Sequence, residues 1–148
     1  MSIRAIPLIL LVVFLYVGVV YGASSFGGDG VLEPDAVGGI LRSELFSFPM
    51  IAGKLWVVTW GDVIILLLLV TLFVEILKAT YTSTTAMVDH GLSMVVFIVC
   101  LVMFLLLPKA QTSIFFFITV AAIIDVVAGY TIGIRVARRD IGFGGMGD

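Results

Sequence analysis

Charge is scarce in this chain. Of its 148 residues only 12% are Asp, Glu, Lys or Arg, about half the share in a water-soluble domain. That scarcity leaves no stretch from which a separate soluble domain could be built. A net charge of −2 gives no basic surface for nucleic acid. There is one cysteine, Cys100, so an intrachain disulfide and a cysteine-based zinc site are both excluded. There is one histidine, His90, which excludes bis-histidine haem ligation within one chain. His90 and Cys100 lie ten positions apart in one apolar run, about 15 Å along a helix, too far for a Cys–His dyad. A glycine-rich phosphate loop, a G-x-S-x-G elbow and an H-E-x-x-H pair are all missing. With none of these, the expectation is a protein that is not an enzyme, with no cofactor and no metal.

What is present is apolar. The chain is 61% hydrophobic with a mean hydropathy of +1.27. Four runs, 6–21, 55–77, 92–107 and 113–136, approach the roughly 20 apolar residues that cross a bilayer as a helix. The expected fold is an all-α helical transmembrane bundle of four spans. Residues 1–22 form a first transmembrane anchor, peripheral because nothing polar lies between Pro7 and Tyr16. A cleaved signal peptide is the alternative, with Arg4 in its n-region and Ala23-x-Ser25 at the cleavage site. Residues 23–54 form an outer flexible loop, rich in glycine and acids. Asp29, Glu33 and Asp35 in it do not have EF-hand spacing and read as a solvated acidic stretch. Leu41, Leu45 and Phe48 fall at i, i+4 and i+7, which predicts a short interfacial outer helix ended by Pro49. Residues 55–136 form a three-span bundle core. Within it Pro108 to Thr112 makes a tight antiparallel turn, with Thr112 or Ser113 capping the last helix. Residues 137–148 are the cytoplasmic tail.

Lysine and arginine set the expected orientation. Arg4, Lys78, Arg135, Arg138 and Arg139 fall on one side and Arg42, Lys54 and Lys109 on the other, so both termini are expected in the cytoplasm. Trp56 and Trp60 then anchor the second span at the outer interface, and Arg135, Arg138 and Arg139 anchor the last at the inner one.

Asp125 sits deep in the fourth run, where an acid in hydrocarbon costs about 2.5–3.5 kcal/mol on the insertion scale. It shares a four-residue stripe with Ala121, Gly129 and Gly133, a small-residue face suited to helix packing. Counting helix rise from the expected inner boundary brings Thr71, Cys100 and Asp125 into one intramembrane polar layer. Glu75 lies one turn nearer the cytoplasm, level with Gly129 and paired with Lys78. A helix-bonding role for Asp125 is favoured over proton or ion movement. Asp89 reads as an N-cap that leaves His90 at the inner interface, and Asp62 as a first-turn acid suited to the second span's helix dipole.

The segments Gly53-Lys54-Leu55-Trp56, Trp60-Gly61-Asp62, Phe73-Val74-Glu75-Ile76-Leu77-Lys78, Asp89-His90, Ile124-Asp125-Val126 and Arg135-Val136-Ala137-Arg138-Arg139-Asp140 together resemble small uncharacterised multi-span inner-membrane proteins of proteobacteria. The resemblance implies a bacterial inner-membrane location and no particular activity. The expected function is that of an accessory, structural or assembly subunit of a larger inner-membrane complex, partnered by lipid and by an integral membrane protein or further copies of itself. The alternative is a small oligomeric proton or ion pathway using Asp125.

Overall fold

The computed structural model describes the backbone of residues 6–26, 34–80 and 84–143, and the side chains of 6–23, 36–80 and 90–135. It is mostly helical: α1 (Ile9–Phe26), α2 (Pro34–Arg42), a hairpin of β1 (Glu44–Pro49) and β2 (Leu55–Thr59), then α3 (Trp60–Ala79), α4 (Thr84–Leu106), a 3-10 turn at Pro108–Ala110, and α5 (Ser113–Phe143). Two helical segments, Trp60–Ala79 and Ser113–Arg135, are long and apolar enough to cross a membrane. The described apolar stretches Ile9–Ala23 and His90–Leu106 are shorter. The four expected spans thus reduce, on length and composition, to two.

Helix α5 packs against α4, α3 and α1. Its buried side chains Phe115, Ile118, Ala121 and Ala122 meet Ile64 and Leu68 of α3 and Val96 and Cys100 of α4 in one core. Helix α1 belongs to that core and is not peripheral. Ile9, Val12, Val13, Tyr16 and Val20 point inward, each at most 6% exposed, while Leu11 and Phe14 point outward. An all-apolar helix has no polar face to reveal which side is packed, so its composition alone suggested lipid on most sides.

Tyr16 ties the middle of α1 to the turn before α5. Its hydroxyl donates to the Lys109 carbonyl at 2.8 Å and lies 2.8 Å from Thr112 Oγ1. The tyrosine proton is committed to Lys109, so Thr112 must donate to Tyr16. Thr112 Oγ1 in turn accepts from the Phe115 N–H at 3.2 Å, the N-cap bond that starts α5. One chain of bonds therefore runs Phe115 to Thr112 to Tyr16 to Lys109. The Tyr16 ring also packs on Phe115, with centroids 4.9 Å apart, and Lys109 Nζ lies 4.6 Å from the Tyr21 ring centroid.

The interfacial helix expected through Leu45 and Phe48 is a strand instead. Helix α2 stops at Arg42, where Ser43 donates from both its N–H and its hydroxyl to the Ile40 carbonyl. Beyond it, Phe46, Phe48, Trp56, Val57 and Val58 are aromatic or β-branched and pair as an antiparallel ribbon, the conformation such side chains favour. The i, i+4, i+7 pattern was a coincidence across two elements. The second span likewise starts at Trp60, not near residue 55. Thr59 and Asp62 form a reciprocal capping box: Asp62 N donates to Thr59 Oγ1, and Asp62 Oδ2 accepts from Thr59 N and Oγ1 at 2.9 and 2.7 Å. At the other end of the chain, α5 continues through Phe143, past the expected start of the tail at 137.

Replacing Tyr16 by Phe keeps the ring but breaks the bond chain. Tyr16→Phe is expected to destabilise the bundle by about 1–2 kcal/mol, since the Lys109 carbonyl and Thr112 hydroxyl lose their shared partner. The midpoint of SDS-induced unfolding in mixed micelles, followed by circular dichroism, measures this; an unchanged midpoint would show the bonds to be dispensable.

Candidate polar site inside the bundle

Six polar side chains are buried among the described residues: Thr71, Glu75, His90, Ser93, Thr119 and Asp125. On α3, the inward residues Ile64, Leu68, Thr71 and Glu75 recur every three or four positions, one helix face. Thr71 Oγ1 donates to the Leu68 carbonyl at 3.0 Å, and on α5 Thr119 does the same to Phe115 at 3.0 Å. Both hydroxyls are thus satisfied within their own helices.

Glu75, 2% exposed, joins two helices. Its Oε1 accepts the Leu8 N–H, one of the donors that a helix start leaves without an intrahelical partner. Its Oε2 accepts from Lys78 Nζ at 2.9 Å, and the ammonium also donates to the Ile6 carbonyl at 3.5 Å. The carboxylate therefore caps the beginning of α1 and pairs with a cation in one arrangement.

Close contacts define the depths. The His90 imidazole of α4 lies directly over Gly129 of α5, so a Cβ there would overlap the ring. The Tyr130 ring lies beside it, centroids 6.2 Å apart. Near the opposite ends, Phe104 meets Phe116 at 5.6 Å. These pairs set one antiparallel register, in which Ser93 comes level with Asp125 and Cys100 level with Thr119. Helix α3 runs parallel to α5, and a Cβ on Gly61 would come 2.6 Å from Ile114 Cδ1. That offset makes Thr71 level with Asp125, and Glu75 level with Gly129 and His90. Asp125, 3% exposed, lies within electrostatic reach of Glu75.

The site is thus two adjacent layers: Glu75, His90 and Gly129, then Thr71, Ser93 and Asp125. Cys100 does not join them. It is fully buried, but six residues along from Asp125 by register, about 9 Å, and lines an apolar groove with Pro7, Leu10, Val13 and Val96. The expected depth was counted from a helix start near residue 91, whereas α4 begins at Thr84. The same early start removes Asp89 as an N-cap and carries His90 into the bundle, 9% exposed. Its Nε2 is buried without a hydrogen-bond partner.

Within the small-residue stripe, Ala121, Asp125 and Gly129 are buried, while Gly133 is exposed with open space around it. Gly129 admits the His90 ring, a role that the stripe pattern did not suggest. Trp56 lies exposed on β2. Trp60 opens α3 and lines a groove with Gly18, Gly22 and Gly39. Arg135 is exposed on α5, and the side chains of Arg138 and Arg139 lie outside the described residues. Ser93 and His90 were the members missed. Their spacing with Cys100, at i, i+3 and i+10, was the available signal, because it marks one face of one helix.

Among the described residues no three His, Cys, Asp or Glu side chains gather to hold a metal ion. The arrangement joins α3 to the start of α1 through polar contacts, and it brings two carboxyl groups and an imidazole into neighbouring layers. No protein-family model, no curated protein and no solved structure matches the chain.

Gly129→Ala is expected to force the His90 ring out of place and destabilise the bundle by about 1–3 kcal/mol. His90→Ala in the same chain should recover most of that loss; purely additive losses in SDS unfolding would show that the ring is not what Gly129 accommodates. Glu75→Ala is expected to destabilise more than Glu75→Gln, which retains an acceptor for Leu8. Its cost should stay below about 3 kcal/mol, since Lys78 is a quarter exposed and able to turn to water.

Proposed function

We propose that this chain is a multi-pass integral protein of a bacterial inner membrane, with both termini in the cytoplasm. In this reading it is an accessory, structural or assembly subunit of a larger membrane complex and performs no catalysis of its own. The observation that carries the reading is an inside-out distribution of side chains. Leu66, Phe73, Val95, Val102, Phe117 and Val127 face outward on α3, α4 and α5, while acids, hydroxyls and the imidazole face inward. Lipid rewards that arrangement and water penalises it. Lys78 and Arg135 lie at the end of the bundle assigned to the cytoplasm, in keeping with the positive-inside bias. The accessory role is supported by where the polar groups go. Glu75 binds the start of α1, and Thr71 and Thr119 bind their own backbones; of the three, Glu75 joins two helices.

Purification in a mild detergent is expected to bring down other integral membrane proteins in fixed ratio. A homogeneous monomer with no companion would remove the accessory reading. One observation favours a second reading, a proton or ion pathway in an oligomer: Glu75 and Asp125 are both buried and within electrostatic reach of each other on neighbouring helices. That reading requires flux across liposomes containing the pure protein, and loss of that flux in Asp125→Asn. The accessory reading expects none from either protein.

A further inference from the structure

The hairpin of β1 and β2 has no core. Every residue from 44 to 57 is exposed, yet its side chains are those of an interior. By the pairing of Phe46 with Val58 and Phe48 with Trp56, Phe46, Phe48 and Trp56 share one face. Their rings follow one another at centroid distances of 5.2 and 6.3 Å. Leu55 and Val57 occupy the other face, opposite Pro49 and Ser47. The turn presents Met50 and a wholly exposed Ile51 before Gly53, which takes φ +78° to close it. A two-stranded ribbon with both faces apolar is marginal in water.

We propose that this hairpin lies in the headgroup interface of the outer leaflet, with its aromatic face and the Met50–Ile51 tip against lipid. The inference rests on the membrane reading above. Its location follows from continuity: β2 ends at Thr59 and α3 begins at Trp60 with no linker, and the capping box makes that junction rigid. The ribbon base is held a second time, where Trp60 N donates to the Ser43 carbonyl at 3.3 Å. A ribbon fixed to the first turn of a membrane-crossing helix must sit at the level where that helix enters. It goes no deeper, because a two-stranded sheet leaves edge N–H and C=O groups unpaired, which hydrocarbon does not tolerate. Interfacial depth suits both constraints, since headgroups and water bond the edges while the aromatic rings meet the acyl boundary. Glu44 at the base and Lys54 in the turn stay hydrated there.

Trp56 and Trp60 are the only tryptophans, so the test is direct. The full chain carrying Trp60→Phe is reconstituted into phosphatidylcholine–phosphatidylglycerol vesicles containing lipids brominated at shallow or deep acyl positions. Trp56 fluorescence should be quenched most by shallow bromines, and less by aqueous acrylamide than that of the detergent-unfolded chain. Full acrylamide quenching without bromolipid quenching would overturn the proposal by placing the hairpin in water. Protection from both would overturn it in favour of a protein cover, a second copy included. Should Trp60→Phe fail to fold, a spin label on Ile51→Cys in a Cys100→Ala chain reports the same depth. Greater collision with oxygen than with a water-soluble nickel complex is expected, and the reverse order overturns the proposal. Resistance of the vesicle-bound protein to carbonate extraction tests the membrane reading separately. Extractable protein sinks that reading, whereas anchored protein with an unquenched Trp56 sinks only the hairpin's place.

Discussion

Helix α1 is joined to the remainder of the bundle by polar contacts made at its start and near its middle, and the tyrosine contact organises most. Tyr16 receives the Thr112 proton and gives its own to the Lys109 carbonyl, so one side chain satisfies the turn between α4 and α5 and the cap that starts α5. A short turn of this kind determines which residue of α4 opposes which residue of α5. That register then determines that His90 lies on Gly129 and that Ser93 lies level with Asp125. The polar interior at one end of the bundle is in this sense a consequence of hydrogen bonds at the other.

At the start of α1 the corresponding contact is Glu75. A carboxylate 2% exposed would be costly alone, because desolvation of an unpaired charge is severe. Here it meets a helix N-terminus and an ammonium, both of which favour negative charge. Lys78 also reaches the Ile6 carbonyl, so the start of α1 receives both an acceptor and a donor from one turn of α3. Between Leu8 and Tyr16 α1 contributes only apolar side chains, and these pack in one core with α3 and α5. His90 completes the layer of Glu75 and Gly129 differently, by filling the space left where Gly129 has no side chain.

Much of the site is legible in the sequence. Asp125, Ala121 and Gly129 share a buried face as their spacing of four implies. Thr71 is level with Asp125 and Glu75 is level with Gly129 by the offset between α3 and α5, and α3 ends at Ala79, close to the end that its hydropathy indicates. Cys100 went astray because α4 starts earlier than its hydropathy indicates: Thr84, Thr85 and Asp89 are polar but helical. His90 was assigned to the interface by the same misplaced boundary. The hairpin was hidden because three apolar residues at helical spacing arose from the end of one element and alternate positions of another. The packing of α1 was hidden for the opposite reason, an apolar composition on every side.

Sequence alone determined the helical periods, the turn between α4 and α5, and the inward side of Asp125. Each of these follows from local hydropathy or from the 3.6-residue repeat, which need no knowledge of neighbours. Tertiary structure decided which helices share a layer, that α1 is a core helix, that His90 belongs with Gly129, and that residues 44–59 pair as a ribbon. Those outcomes depend on relative register, and register is set by a few contacts between distant parts of the chain whose geometry no local pattern encodes.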